Sequence, residues 1–181
     1  MASLVNRMVR AAKLDSALYE EVEADSSALG QAMGVVVIAS VAAGIGNMAN
    51  GGVTGLIGGV IAALIGWFIW AGLTYLIGTK ILPEPQTEAD IGQLLRTLGF
   101  ASAPGVLRVF GFIPILGLII FLISSIWMLV ATVVAVRQAL DYKSTGRAVG
   151  VIIIGWIVMI VVMTLVAALT GGAAGVTDAA L

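Results

Sequence analysis

Four long apolar runs constrain this chain more than any other feature of its sequence. They cover residues 29–48, 53–79, 115–136 and 148–170, and no charged residue interrupts any of them. A helix needs about 20 apolar residues to cross the hydrocarbon core of a bilayer, because each residue adds about 1.5 Å. A helix also satisfies its own backbone polar groups, which lipid cannot do. The runs therefore predict an all-α, polytopic integral membrane protein.

Composition narrows the chemistry that such a protein could perform. Of the 181 residues 60% are hydrophobic and only 10% are charged, whereas soluble domains carry about 25% charged residues. Cysteine and histidine are absent, which excludes thiolate and imidazole catalysis and the usual zinc ligands. The net charge is −1 and the basic residues are scattered, so no basic patch for nucleic acid exists. We expect no catalytic, metal or cofactor site, no enzyme activity and no nucleic-acid partner.

Residues 1–28 form a predicted cytoplasmic N-terminal segment. Residues 2–13 place apolar side chains on one helical face and basic side chains on the other, as in a short amphipathic helix that lies in the headgroups of an anionic leaflet. A solvated tail is the alternative. An acidic helix with Asp15 as its N-cap follows. The residues predicted here to contact lipid or a partner are Arg7, Arg10, Lys13 and Tyr19.

The first two apolar runs are separated only by residues 49–52, which predicts a tight antiparallel hairpin. At the start of the second run, small residues recur every four positions. Such a row lets another helix approach the backbone closely in lipid, and a close contact would offset the helix propensity that the glycines lose. Helix packing is therefore predicted at Gly51, Gly55, Gly59 and Ala63.

The stretch 97–113 is harder to assign, because it is apolar but contains Pro104 and Arg108 and follows Arg96. As an α-helix, the part between Arg96 and Phe112 would be about 24 Å long, short of a hydrocarbon core of about 30 Å. Both arginines could extend to opposite interfaces to cover the difference. The sequence leaves two alternatives, a short crossing kinked at Pro104 and a re-entrant element.

The distribution of basic residues favours the crossing. If the stretch crosses, then the N-terminal segment, the connector 80–97 and the loop 137–147 share one side and hold eight of the nine Lys and Arg residues. If it does not, the count becomes six against three. Short loops rich in Lys and Arg stay cytoplasmic. We predict five transmembrane helices within residues 29–170, a cytoplasmic N-terminus, a C-terminus outside and a flexible tail at 171–181.

Pro104 also predicts a candidate functional seam. Proline removes a backbone donor and frees the carbonyl one turn earlier, near Phe100, and in lipid that carbonyl needs a polar partner. Hydroxyl groups of the following span are the predicted donors. A kink without function is the alternative to a seam that acts as a packing hinge or a cavity wall. The predicted seam comprises Gly99, Phe100, Ser102, Pro104, Ser124 and Ser125.

Three segments together resemble a known family. They are "LYEEVEAD" before the first run, "GFASAP" in the ambiguous stretch and "VVAVRQALDYKSTGRA" between the last two runs. They resemble the Yip-domain family of five-span membrane proteins, in its bacterial branch, over roughly residues 15–170. The resemblance implies a cytoplasmic N-terminus and, in eukaryotic members, binding of Rab-type GTPases and shaping of secretory membranes.

Two short elements carry the match. Leu18 and Tyr19 match part of the family's Asp-Leu-Tyr-Gly-Pro element, and Gly99, Phe100 and Pro104 match its Gly-Tyr with a later Pro, with Phe for Tyr. At positions 20 and 21, glutamates replace the family's Gly-Pro. A Rab-type GTPase is therefore not an expected partner.

Function is predicted only in outline. No Asp, Glu, Lys, Arg or His lies inside the four long runs, which argues against proton- or sodium-coupled transport. We predict a non-enzymatic organising or accessory subunit in the cell (inner) membrane, packed against a second copy or another membrane protein. The alternative is an oligomeric channel or permease lined by Ser40, Asn47, Ser124 or Thr132.

Overall fold

The computed structural model describes residues 3–113 and 115–178, and the side chains among them except at 49–50 and 169–178. Within these residues the chain forms seven α-helices and no strand, which confirms the all-α prediction. The helices are α1 Leu4–Ala12, α2 Ser16–Ala24, α3 Leu29–Gly46, α4 Met48–Leu76, α5 Ile91–Ala101, α6 Leu116–Ala139 and α7 Thr145–Asp178.

Four helical segments among the described residues are long and apolar enough to cross a membrane. They are Ser26–Gly46, Gly51–Ile81, Leu116–Ala139 and Thr145–Ala168, and they correspond to the four apolar runs. Near the start of the second segment, the backbone at Gly52 has a φ of 55° and a ψ of −163°, which interrupt the helix. A positive φ costs glycine little, so this residue makes the turn between the first two long helices.

The stretch 97–113 is not one long helix. The helix α5 passes at Ser102 into a 3-10 segment, Ala103–Phe112, so the predicted span at 98–110 is absent from the four long segments. Pro104 lies at the start of the 3-10 segment, where its missing N–H leaves no helical bond unmade. A 3-10 run of 10 residues is unusual and rises about 2.0 Å per residue. At these rises the path from Arg96 to Phe112 is about 29 Å long rather than about 24 Å.

The helix α5 and its 3-10 extension form the centre of the bundle, in contact with α2, α3, α4 and α6. They run parallel to α3. Gly99 meets Ala32 near the start of α3, and Gly46 at its end meets the backbone of Arg108. A Cβ on Gly99 would lie 2.7 Å from that of Ala32, and one on Gly46 would lie 2.0 Å from the carbonyl oxygen of Arg108. Both positions require glycine because the backbones approach so closely.

Three polar segments meet at one end of the bundle. Gln138, in the last turn of α6, donates to Glu20 of α2 at 2.8 Å. Glu84 of the connector between α4 and α5 accepts from the backbone N–H of Lys143 at 2.9 Å and pairs with Arg147 at 3.4 Å. The N-terminal segment, the connector and the loop after α6 therefore form one polar layer.

The last helix, α7, is helical as far as Asp178, so the predicted flexible tail at 171–181 is helical over its described part. Residues 179–181 lie outside the described residues, as does Pro114.

Candidate functional site

A cavity in the described bundle lies between α4 and the central segment, which consists of α5 and its 3-10 extension. Its volume is about 530 Å³. α3, α4, α5 with its 3-10 extension and α6 all contribute to its walls. Its polar lining includes Ser40, Ser102, Thr132 and Arg108. The hydroxyls of Ser40 and Thr132 donate to carbonyls of their own helices, at 2.9 and 2.8 Å. Arg108 is the only charged residue among those that line this cavity.

The predicted packing row of α4 faces this cavity. Gly55, Gly59 and Ala63 line it, and Gly51 lies one turn before them. A Cβ added at Gly51, Gly55 or Gly59 would meet nothing within 4 Å, and all three glycines are exposed. The described chain therefore makes no close helix contact at the three glycines of the row.

The predicted seam is buried, but its hydrogen bonds differ from those expected. Phe100 is fully buried and Pro104 and Gly99 are buried beside it. The carbonyl group of Phe100 lies in a tightened turn, in which the backbone N–H of Ser102 bonds back to Gly99 at 3.2 Å. Ser124 donates instead to the carbonyl of Phe121, at 3.1 Å. The 3-10 geometry accounts for this difference, because it closes the turn with backbone groups alone.

Ser124 and Ser125 bind Arg108 rather than the seam backbone. The Nε of Arg108 donates to Ser124 Oγ at 3.2 Å, and its Nη2 donates to Ser125 Oγ at 2.9 Å. The guanidinium carbon lies 5.0 Å from the centre of the Phe121 ring, a cation–π distance. The Arg108 side chain therefore points towards α6.

The N-terminal residues predicted to contact lipid or a partner are mostly engaged within the chain. Arg7 is 4% exposed and its guanidinium bonds to Glu21, Gln31 and Asp25 at 2.8–3.1 Å. Tyr19 is fully buried and donates to the carbonyl of Ala11 at 3.2 Å, and burial raises its pKa. Arg10 pairs with Asp15 and Glu21, whereas Lys13 is exposed.

These contacts make α1 and α2 a docked pair. Hydrogen bonds from Arg10 and Arg7 lower the pKa of Glu21, and hydrogen bonds from Ser27 and Arg7 lower that of Asp25. Trp127 of α6 donates through Nε1 to the carbonyl of Ala12 at 2.7 Å. The N-terminal segment is therefore packed against the bundle through buried side chains and charge pairs.

Tyr142, in the loop between α6 and α7, connects the polar layer to the second span. Tyr142 is 3% exposed. Its hydroxyl lies 2.9 Å from the carbonyl oxygen of Gly78 and 2.7 Å from that of Leu82, in and just after the π-helical end of the second span, Ile77–Ile81. Burial raises the pKa of Tyr142 to about 12, so the hydroxyl stays protonated and able to donate.

Comparison with models of known families gives a match. The family model of the Yip1 domain matches residues 16–166. The chain therefore belongs to the Yip1 domain family and is a multi-pass membrane protein. Comparison with curated proteins and with solved structures gives no significant match.

Sequence reasoning missed the part that Arg108 plays in this site. A basic residue near a span end is expected to extend to the interface, and nothing in the spacing of positions 108 and 124 marks them as neighbours. The only available signal was the pair of adjacent serines inside an otherwise apolar span. Within the described residues, no group of three His, Cys, Asp or Glu side chains forms a metal site.

Proposed function

We propose that this protein is a non-enzymatic organising or accessory subunit of the cell membrane that acts by helix packing, with a second copy or with another membrane protein. The observation that carries the proposal is the row of exposed glycines on α4. Without a hydrophobic driving force in lipid, helices associate where small residues let backbones approach. Gly51, Gly55 and Gly59 offer such a surface, and the described chain leaves it open.

The topology proposed for this subunit has five crossings, with the N-terminus cytoplasmic and the C-terminus outside. It is supported by the parallel course of the central segment along α3, from Ala32 to Gly46, and by its length of about 29 Å. It is also supported by the contact of the end of α6 with α2, through Gln138 and Glu20. A re-entrant stretch would put these two segments on opposite sides of the membrane.

The packing proposal is tested by replacing Gly55 and Gly59 together with leucine. A Cβ added at either glycine would meet no atom within 4 Å, so the variant should fold. It should nevertheless lose the oligomer or the co-purifying partner. Native mass spectrometry after purification in mild detergent measures the assembly. The matched control is Gly72→Leu, which is equally open but lies outside the row on the same helix.

An unchanged assembly in the double variant would contradict the packing proposal and would mean that the row faces lipid. Loss of assembly in the Gly72→Leu control as well would also contradict it, because the effect would not then belong to the row.

An oligomeric channel or permease is the second candidate, and the cavity favours it. Ser40, Asn47 and Thr132, three of the four residues predicted to line a pore, border that cavity, and Ser124 bonds to its arginine. Selective passage of a solute or ion through liposomes that contain the purified protein would support this function. Absence of flux together with a co-purifying membrane partner would support the subunit.

A further inference from the structure

We propose that Arg108 and Ser125 form a binding site for a phosphate-bearing anion in the outer half of the bundle. This inference goes beyond helix packing, because it assigns a ligand to a position on the opposite side of the cavity from the glycine row. It rests on four observations: the position of the guanidinium, its lack of a carboxylate partner, the free donors around it and the space on both sides.

The guanidinium lies well inside the bundle. Its partners Ser124 and Ser125 follow the first residue of α6, Leu116, by eight and nine positions, which is about 12 Å along a helix. On the opposite side, however, α3 ends level with Arg108, since Gly46 meets its backbone. The Arg108 side chain thus lies about 12 Å from the start of α6, whereas its backbone lies level with the end of α3.

No carboxylate neutralises this charge among the described residues. The ion pairs there involve Arg7, Arg10 and Arg147, all in the polar layer or the N-terminal segment. A charged side chain at membrane depth is costly and usually faces a partner or a water-filled cavity. Two serine hydroxyls and one aromatic ring satisfy Arg108 in part but do not balance its charge.

Two hydrogen-bond donor groups at this site are not used within the described residues. The Nη1 group of Arg108 makes no hydrogen bond to the described residues, and the hydroxyl of Ser125 accepts from Nη2 without donating to another described group. A guanidinium with an adjacent hydroxyl offers several donors and one positive charge in a fixed fork, which matches the oxygens of a phosphate. The chemistry that completes the site is therefore anionic and rich in acceptors.

There is room for such a ligand. Arg108 lines both the cavity of about 530 Å³ and a second one of about 490 Å³, which is bordered by Gly46, Gly111, Gly117 and Phe121. The phosphate could come from a phospholipid headgroup that enters beside the end of α3 or from a soluble phosphate compound.

The test measures ligand binding to the full-length protein in mild detergent by native mass spectrometry and by thermal unfolding. The probes are a short-chain phosphatidylglycerol, a diacylglycerol with the same acyl chains but no phosphate, and inorganic phosphate. Arg108→Gln should weaken binding of phosphatidylglycerol at least about tenfold, the factor that corresponds to about 1.4 kcal/mol. The control Arg147→Gln, at an exposed arginine of the polar layer, should leave binding unchanged, and diacylglycerol should show no dependence on Arg108.

The two phosphate sources are distinguished by the third probe. A rise in melting temperature with inorganic phosphate that Arg108→Gln abolishes would indicate a soluble ligand, whereas dependence on Arg108 with phosphatidylglycerol alone would indicate a lipid. If Arg108→Gln does not fold, Ser125→Ala keeps the charge, removes one donor and should weaken the same binding. Equal binding of both phosphate probes by the parent and the tested variant, or no binding of either probe by the parent, would overturn the proposal.

Discussion

Tyr19, Phe100 and Tyr142 lie in the segments that resemble the Yip family, and each is buried at a junction between elements. Tyr19 ties α2 to the end of α1, Phe100 lies in the central helix, and Tyr142 reaches the π-helical end of the second span. All three side chains are buried, and the hydroxyls of the two tyrosines are hydrogen-bonded to backbone carbonyls. The residues that support the resemblance therefore contribute to how the helices are arranged, whereas the proposed binding surfaces lie elsewhere, at Arg108 and on α4.

Single residues also mark the limit of prediction from this sequence. The missing backbone donor of Pro104 could be predicted, because it follows from residue type, whereas the close contact of Gly99 with Ala32 was not predicted. The direction of the Arg108 side chain could not be predicted, because it depends on which residues of α6 lie at the same level as the 3-10 segment. The partners of Arg7 could not be predicted from the sequence either, since Glu21 and Asp25 become its neighbours only when α1 packs against α2.

A pH dependence of stability is expected from Glu23 of α2. Burial, with the nearby carboxylates of Asp141, Glu20 and Asp90, raises its pKa to about 7 despite the charge of Arg96, and its Oε1 accepts from Gln93 at 3.2 Å. The folded state therefore holds a proton that the unfolded state releases near its ordinary value of about 4.5. Stability from this group is present below that value and declines as pH rises towards 7. Glu23→Gln should flatten the melting-temperature profile between pH 5 and pH 8, and a parent profile that keeps its slope in the variant would contradict the assignment.

At the scale of elements, the change from α-helix to 3-10 helix after Ser102 explains how a short sequence extends so far along the bundle. A continuous α-helix from Arg96 to Phe112 would be about 5 Å shorter, because it rises about 0.5 Å less at each of the ten 3-10 residues. Length arguments from sequence assume α-helical rise and so underestimate this segment. The apolar runs, in contrast, predicted four long helices correctly, since composition and length alone specify them.

The link between the loop after α6 and the π-helical end of the second span can be tested at Tyr142. Tyr142→Phe removes the hydroxyl that bonds to the carbonyls of Gly78 and Leu82, and we expect a loss of about 1–2 kcal/mol of stability from two carbonyls left without this donor. Thermal unfolding in detergent measures the loss. The control is Tyr75→Phe, because the Tyr75 hydroxyl makes no hydrogen bond to the described residues. Equal melting temperatures for the two variants would contradict the anchoring role.

At the scale of the whole molecule, the bundle combines a polar layer at one end with an open, weakly packed face along α4. The polar layer joins the N-terminal segment, the connector and the loop after α6 through Glu20, Glu84 and their partners. Eight of the nine basic residues belong to these three segments, in the distribution that short cytoplasmic loops have. The charge distribution and these contacts support the five crossings that we propose, with the central segment as the third.

The measurement that tests this topology most directly compares two single cysteines, introduced at Phe112 and Ser144. The chain has no cysteine of its own, and both positions are exposed, so a membrane-impermeant maleimide reports their sides without background. Five crossings predict that Phe112→Cys and Thr177→Cys are labelled in intact cells. They also predict that Gln86→Cys and Ser144→Cys are labelled only after the membrane is opened. Labelling of Ser144→Cys from outside while Gln86→Cys and Phe112→Cys are both protected would contradict the account, because it requires the central segment to return to the side on which it began.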